Sequence, residues 1–217
     1  MGNRAVIISA NEMLASGEIN PTQMAVYLHW NGGRDSVEGF LEYCRLRGFR
    51  APNEDAYGWA RFCQVVGNFF GGDGLSLGIG RACDCHLDNG DNGVYIIHDW
   101  KIVGRKYEHA EQHEYGLEDM LLSIDESQPE EQQIRDFLLA EDVDASELAI
   151  GDTVITFGIG GKLKRNTVVG IGQGGKVNGH DIAGVPFVDK YERVGDYSWN
   201  PNNYLFPYIR FRRVKNG

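Results

Sequence analysis

The chain has 217 residues, 42% of them hydrophobic, and a formal net charge of −10, which is enough for one large or two small domains with real cores. The opening apolar run is too short for a signal peptide and no stretch reaches membrane-spanning length, so we expect neither a secreted nor a membrane protein. Four cysteines in a chain of this size exclude a disulfide scaffold, and the expected location is the cytoplasm.

The charged residues are distributed very unevenly along the chain. Residues 1–107 carry twelve acidic and ten basic side chains, residues 108–147 carry fourteen and one, and residues 148–217 carry five and ten. We therefore predict three parts, namely a nearly neutral domain, an acidic connector and a mildly basic terminal domain. A concentrated acidic field attracts basic partners and repels ligands of like charge.

The first part is predicted to be a mixed α+β domain. Apolar and β-branched runs predict strands at 5–8, 24–30, 75–79, 93–97 and 100–104. The last two strands flank a tight hairpin turn at His98–Asp99. Helical spacing of apolar residues predicts helices over 35–47 and 53–70. Asp35 and Glu38 have capping-box spacing, so we expect Asp35 to begin the first helix.

The acidic connector is predicted to fold as two amphipathic helices. Apolar residues recur in it at helical spacing: Leu117, Met120, Leu121, Ile124, Ile134, Phe137, Leu138 and Leu139. Ser127 and Glu130 have capping-box spacing with Pro129 between them, which predicts the start of the second helix. Docking through the apolar residues leaves the carboxylates in water, as a shaped acidic face rather than a disordered tail.

From Gly151 onward the sequence changes to short strands separated by glycine-rich turns. The clearest strands are 153–157, 167–171, 185–191 and 204–214. This pattern predicts a small β-barrel of SH3-like or OB-like type. The predicted fold class is therefore α+β, with a mixed α/β N-terminal domain (1–107), an acidic helical connector (108–147) and a small C-terminal β-barrel (148–217).

The most distinctive local motif is the glycine turn that follows the strand 24–30. A strand that leads through a glycine turn into a helix N-terminus presents free backbone N–H groups, and such groups bind anions. The candidate anion-binding residues are His29, Gly32, Gly33 and Arg34. Alternatively the turn is structural and Asp35 occupies the same place itself. The spacing matches neither the P-loop nor the dinucleotide fingerprint.

The same motif carries a resemblance to a known group of proteins. Tyr27–Gly33, with the sequence Tyr-Leu-His-Trp-Asn-Gly-Gly before a helix, and Tyr57–Arg61 resemble uncharacterised accessory proteins of bacteriophages and prophages, which open with strand, His-Trp-Asn/Asp-Gly and helix. The resemblance covers residues 22–105. It implies a viral accessory protein, a class whose members often bind and disable host defence machinery, and it transfers no functional residue.

Three clusters contain residue types that bind metals. Cys83–His86 forms a zinc site only if Cys63, His98 or Asp88 completes the set, so structural cysteines are favoured and metal binding is the alternative. The turn Asp88–Gly93 lacks the terminal glutamate of an EF-hand loop. His109 and His113 lack the glutamate that follows the first histidine in zincins. We interpret all three as structural or solvent-facing, and we predict no metal and no cofactor. No Ser-His-Asp or Cys-His arrangement is recognisable either, which favours a binding protein over an enzyme.

The terminal domain has a candidate binding surface of its own. Its cations alternate with apolar residues beside several aromatic rings: Arg210, Arg212 and Arg213 near Trp199, Tyr204, Phe206 and Tyr208. Small barrels that bind nucleic acid place cations next to stacking aromatics in this way. Strand alternation alone gives the same pattern, so nucleic-acid binding, partner-protein contact and plain packing all stay open.

The acidic connector leads to the main functional hypothesis. Carboxylates arrayed along helices imitate the phosphates of a duplex and attract basic, nucleic-acid-binding proteins. The predicted partner-binding residues are Glu111, Glu118, Glu130 and Glu131. We expect a non-enzymatic inhibitor of a host defence protein, for example of CRISPR type. Two alternatives are a small-nucleotide-binding or -hydrolysing protein that uses the His29–Asp35 turn, and a nucleic-acid-binding module that uses the terminal barrel. Alternatively, the connector is an ordinary solvent-exposed acidic hinge between two domains.

Overall fold

The computed structural model describes most of the chain: residues 2–53, 56–73, 76–107, 111–157, 163–174, 176–177, 180–181, 183–188 and 210–214. These residues form two compact units, Met1–Gln133 and Ile134–Gly217. Two five-stranded sheets, one short strand pair and four α-helices lie in the described part. The predicted α+β class is confirmed.

The first unit is built on a five-stranded sheet. Its strands are β1 (Ala5–Ser9), β2 (Met24–Leu28), β3 (Leu77–Arg81), β4 (Val94–His98) and β5 (Lys101–Lys106). They lie in the order β3-β2-β1-β4-β5, and β1 pairs with β4 in parallel while the other neighbours are antiparallel. All five residues of β1 are buried because both faces of the sheet are covered.

The hairpin between β4 and β5 turns one residue later than predicted. His98 still belongs to β4, and the two turn residues are Asp99 and Trp100, with φ of 47° and 59°. Two consecutive left-handed residues match the twist of a two-residue hairpin. Trp100 adopts this conformation because its ring stacks on Phe62 and its Nε1 donates to the carbonyl of Phe49.

Three helices accompany the sheet in the first unit: α1 (Arg34–Leu46), α2 (Ala56–Phe70) and α3 (Leu117–Glu126). Edge-to-face rings join α1 to α2, with Phe40 packed against Phe62 and Phe69. A second apolar cluster is formed by Val6, Ile8, Ala25, Ala82 and Val94, and partly buried residues of the loops, including Met13, Ile19 and Leu87, pack against it. Sequence periodicity predicted α1, α2 and α3 because each helix buries one apolar stripe.

The two predicted capping boxes do not form. The residue that precedes α1 is Gly33, and Asp35 lies inside the first turn of the helix. Ser127 ends α3 and donates its hydroxyl to the carbonyl of Ile124, while Glu130 lies in a short 3-10 helix. Capping-box spacing was misleading here because both side chains find other partners.

The second unit begins with α4 (Arg135–Leu139) and is otherwise made of strands. They are β6 (Glu141–Asp144), β7 (Thr153–Phe157), β8 (Leu163–Ile171), β9 (Lys176–Val177), β10 (His180–Asp181), β11 (Pro186–Val188) and β12 (Arg210–Arg213). The main sheet has the order β11-β8-β7-β12-β6, and β9 pairs only with β10. Its core contains Val143, Leu148, Val154, Val168 and Val188. Among the described residues the sheet is open and forms no closed barrel.

The predicted connector, 108–147, is shared between the two units. Its first half supplies α3, which packs along α1 in the first unit, and its second half supplies α4 and β6 of the second unit. Each half therefore has its own sheet or helix to pack against. No helix in the described part of the chain combines the length and apolar character needed to cross a bilayer.

The packing of α3 on α1 depends on Gly39. Gly39 has no Cβ atom, and one added there would lie only 2.6 Å from Cγ of the buried Met120, which is 1% exposed. We expect Gly39→Ala to lower the free energy of unfolding by about 1–2 kcal/mol, because overpacking of a core outweighs the gain in helix propensity. Urea denaturation measures this change.

The matched control is Gly67→Ala in α2, where the added methyl group makes only ordinary contact with Leu77 at 3.8 Å. This variant should be more stable than the parent by about 0.5–1 kcal/mol. Equal effects of the two substitutions would show that α3 is not seated on Gly39.

Candidate functional site

Two of the predicted anion-binding residues are glycines because the backbone passes extremely close to its neighbours. A Cβ atom added to Gly32 would lie 2.6 Å from the amide nitrogen of Ala5, and one added to Gly33 would lie 2.5 Å from the carbonyl oxygen of Gln112. The amide of Gly32 already donates to the carbonyl of Asn3 at 2.8 Å. This amide therefore already has a hydrogen-bond partner within the first unit.

The anion at the N-terminus of α1 is the side chain of Asp35. Its Oδ1 accepts from the amide of Ser36 at 2.8 Å, and its Oδ2 accepts from the amides of Glu114 and Tyr115 at 2.6 and 2.5 Å. Asp35 is 8% exposed. The structure thus agrees with the alternative in which Asp35 itself fills this place, and it ties the chain before α3 to the start of α1.

His29 and Arg34 serve different groups. The imidazole of His29 is exposed at the end of β2, with Nδ1 3.2 Å from the hydroxyl of Tyr27 and the ring edge-on to Trp30. Arg34 instead forms ion pairs with Glu38 and Glu111, at 3.1 and 2.8 Å. The four predicted residues therefore do not converge on one point.

Arg34 belongs to a charge cluster that the sequence did not reveal. We call the side chains Arg34, Tyr95, Arg105 and Glu111 the Glu111 cluster. The guanidinium carbons of Arg34 and Arg105 lie 5.8 and 5.9 Å from the centre of the Tyr95 ring. The carboxylate of Glu111 lies 2.8 Å from Nε of Arg34 and 3.7 Å from Nη1 of Arg105. Its side chain is 19% exposed, so Glu111 does not point outward as predicted.

The two arginines decide the ionisation of the cluster. Burial alone raises the pKa of Glu111, but hydrogen bonding to Arg34 and Tyr95 and the charge of Arg105 outweigh it, so the pKa is lowered from 4.5. Burial, together with the neighbouring Glu111, raises the pKa of the Tyr95 hydroxyl. Glu111 is therefore a carboxylate at neutral pH and Tyr95 a neutral phenol.

The other three predicted partner-binding residues lie in water. Glu118 is in the first turn of α3, and Glu130 and Glu131 are in the short 3-10 helix that follows it. Two further exposed carboxylates, Asp119 and Glu126, lie beside them in the sequence. We call the five residues Glu118, Asp119, Glu126, Glu130 and Glu131 the acidic face.

The carboxylates of the acidic face lack cationic partners. None of the five forms an ion pair with a described residue, and no basic side chain occurs in the described stretch 111–134 except the imidazole of His113. On α1, by contrast, Glu38 pairs with Arg34 and Glu42 pairs with Arg45. The negative charge of α3 is thus not neutralised by an ion pair within the described part of the chain.

Buried apolar residues and internal hydrogen bonds hold α3 in place beneath the acidic face. Met120, Leu121 and Ile124 are buried beneath it. Asp125, which is 1% exposed, accepts a 2.7 Å hydrogen bond from the hydroxyl of Tyr43, and burial together with this bond raises the pKa of that tyrosine. The amide of Gln128 donates to the carbonyls of Val65 and Ile124. The apolar spacing of α3 was predictable from the sequence, but the hydrogen bonds of Asp125 and Gln128 were not.

The metal-like clusters show no metal geometry. No three His, Cys, Asp or Glu side chains of the described residues are arranged to hold a metal ion. Asp84, within Cys83–His86, pairs with Arg81. In the turn 88–93, Asp91 pairs with Arg4 at 2.6 Å, and Asn89 accepts from two amides of its own turn. His109 lies outside the described residues.

The terminal arginines are partly engaged within the second unit. Arg213 pairs with Glu141 at 2.7 Å and with Asp152 at 3.4 Å. The guanidinium of Arg212 stacks on Phe137, at 5.1 Å from the ring centre. The side chain of Arg210 and the aromatic residues 199–208 lie outside the described residues. The positive charge predicted for this surface is therefore partly neutralised.

The depressed pKa of Glu111 predicts a pH-dependent contribution to stability. A carboxylate with a lowered pKa in the folded state stabilises the fold above about pH 4.5, and this contribution is lost as pH falls through the folded-state pKa. At pH 7, Glu111→Gln should therefore be less stable than the parent by about 1–2 kcal/mol, and the gap should close on acidification. Urea denaturation across this pH range checks it.

Glu118→Gln is the control, because that carboxylate is exposed and makes no ion pair with a described residue. It should stay within about 0.5 kcal/mol of the parent at neutral pH. A gap for Glu111→Gln that persists unchanged at low pH would contradict the role of its charge.

No family model, no curated protein and no solved structure matches this chain. The resemblance to bacteriophage accessory proteins therefore stays a prediction.

Proposed function

We propose that this protein is a non-enzymatic inhibitor that binds a basic, nucleic-acid-binding protein of a bacterial host through the acidic face. The observation that carries the proposal is the set of five exposed carboxylates without ion pairs to described residues, three on α3, whose other side is buried, and two in the 3-10 helix that follows it. Neutralising those charges costs the protein no internal contact, so they are available to a partner.

The physical basis of the interaction is mimicry of a nucleic-acid backbone. A protein that binds DNA or RNA presents lysines and arginines at the spacing of phosphates, and it gains affinity by replacing condensed counterions. An ordered row of carboxylates satisfies the same cations. A disordered acidic tail would lose part of this gain in ordering itself, whereas α3 is already fixed by Tyr43, Met120 and Ile124.

The proposed class of partner is a host defence protein, for example of CRISPR type, and the proposed location is the host cytoplasm. The predicted likeness to phage accessory proteins supports this class, and the acidic face supports the basic character of the partner. Glu111 is not one of the proposed binding residues, because Arg34 and Arg105 already neutralise its charge. Glu118, Glu130 and Glu131 remain.

The other two candidates have weaker support. A nucleotide site at His29–Asp35 is opposed by the internal bonds of Gly32 and by the carboxylate of Asp35 in the anion position. A nucleic-acid-binding barrel of SH3-like or OB-like type is supported by the antiparallel order β11-β8-β7-β12-β6 and by Arg212, but Arg213 is already paired with two carboxylates.

The test is a graded charge reversal on the acidic face. The partner is first captured from host lysate with the parent protein, and association is then measured for Glu130→Lys/Glu131→Lys and for the triple variant that adds Glu118→Lys. We expect slower association and weaker binding that worsens from double to triple, with a difference that shrinks as salt is added, because exposed charges are screened.

The matched control is Glu12→Lys/Glu18→Lys, which makes the same change in net charge at two exposed carboxylates of the loop between β1 and β2. This variant should bind nearly as the parent does. If the two double variants weaken binding equally, only the net charge matters and the acidic face is not the interface.

A further inference from the structure

Two large apolar side chains are exposed at the point where the chain enters α3. Tyr115 is 49% exposed, and Leu117, the first residue of the helix, is 45% exposed. The side chain of Tyr115 makes no hydrogen bond, ring stacking or cation–π contact with a residue that the structure describes. Tyrosine is enriched at the centres of protein interfaces because it buries a large area at a low cost in conformational entropy.

The backbone that carries these two side chains is fixed from below. The amides of Glu114 and Tyr115 donate to Oδ2 of the buried Asp35 at 2.6 and 2.5 Å. One turn after Leu117, the side chain of Leu121 is buried and holds the start of α3 in the first unit. A partner that covers Tyr115 and Leu117 therefore has little backbone to order, and preorganisation of this kind favours affinity.

Exposed carboxylates flank this apolar pair on both sides along the chain. Glu114 precedes it, and Glu118 and Asp119 of the acidic face follow it. None of the three forms an ion pair with a described residue. Complementary charge selects partners and like charge rejects them. A partner that covers the pair therefore has lysines or arginines around an apolar or aromatic contact.

The two kinds of nucleic-acid-binding surface differ in what they offer to such a pair. A surface that binds the backbone of a duplex meets phosphates, and it needs cations alone. A groove that binds single-stranded nucleic acid places cations beside exposed aromatic rings, on which the unpaired bases stack. Carboxylates with an exposed ring among them satisfy both groups of the single-strand groove, whereas a duplex-binding surface has no use for the ring.

We propose that Tyr115 and Leu117 extend the acidic face, and that the combined surface binds the single-strand-binding groove of a nucleic-acid-binding protein. The carboxylates take the place of phosphates, the ring of Tyr115 takes the place of a stacked base, and Leu117 adds apolar surface. This inference rests on the proposed function. It narrows the partner from nucleic-acid-binding proteins in general to those that carry aromatic rings among their cations.

The decisive experiment uses two short peptides of equal charge as probes, one alternating lysine with tryptophan and the other lysine with alanine. Calorimetry measures the binding of each at physiological ionic strength. We expect the parent to bind the lysine–tryptophan peptide at least about fivefold more tightly, because an aromatic pair adds affinity beyond charge. Tyr115→Ser should lose this preference but bind the lysine–alanine peptide as the parent does. Tyr115→Phe, which retains the ring, should keep the preference.

The matched control is Trp30→Ser, which removes another exposed ring, 46% exposed and edge-on to His29, and should leave the preference intact. Equal binding of the two peptides by the parent overturns the inference, as does a preference that survives Tyr115→Ser or that Trp30→Ser removes equally. The triple variant Glu118→Lys/Glu130→Lys/Glu131→Lys should weaken binding of both peptides. If it does so in any of those cases, the proposed function stands without the inference; if it binds both peptides as the parent does, the proposed function fails as well.

A measurement on the unmodified protein covers the case in which Tyr115→Ser fails to fold. The parent is bound to the partner captured from host lysate, and its release by a single-stranded oligonucleotide and by a duplex is compared at equal phosphate concentration. We expect the single strand to release the protein at a concentration at least about fivefold lower, because it competes for the aromatic rings as well as for the cations. Release by the duplex at the same or a lower concentration overturns the inference.

Discussion

The arrangement of the first unit depends on one buried carboxylate, Asp35. Its two oxygens accept the amide of Ser36 at the start of α1 and the amides of Glu114 and Tyr115 just before α3. A buried charge is tolerated only when it is well hydrogen-bonded, and these three bonds meet that requirement. They also fix where α3 starts, and Gly39 then allows the helix to lie close against α1.

The carboxylates of the acidic stretch fall into two groups, one held by internal contacts and one exposed to solvent. Glu111 and Asp125 turn inward, where Arg34 and Tyr43 hold them. The acidic face turns outward with no cationic partner among the described residues. One group is thus held by internal contacts and the other faces solvent, although both belong to the same run of negative charge.

Much of the fold was predictable from local pattern. Alternating and helical spacing predicted β1, β2, β4, α1, α2 and α3 because each of these elements buries one apolar face. Capping spacing failed at Asp35 and Ser127, since a short polar side chain satisfies the same spacing whether it caps its own helix or bonds elsewhere. His29 and Arg34 were predicted to belong to one anion site, but in the folded chain they contact different groups.

The sequence by itself determined the α+β class, the apolar register of α3 and the concentration of negative charge between 108 and 147. Only the tertiary structure decided which of those charges are neutralised. Arg34 and Arg105 come from a helix and a strand far apart in sequence, and their meeting at Glu111 depends on strand order and helix packing. Periodicity reports which face of an element is buried, but contacts between distant side chains arise only once the elements have packed together.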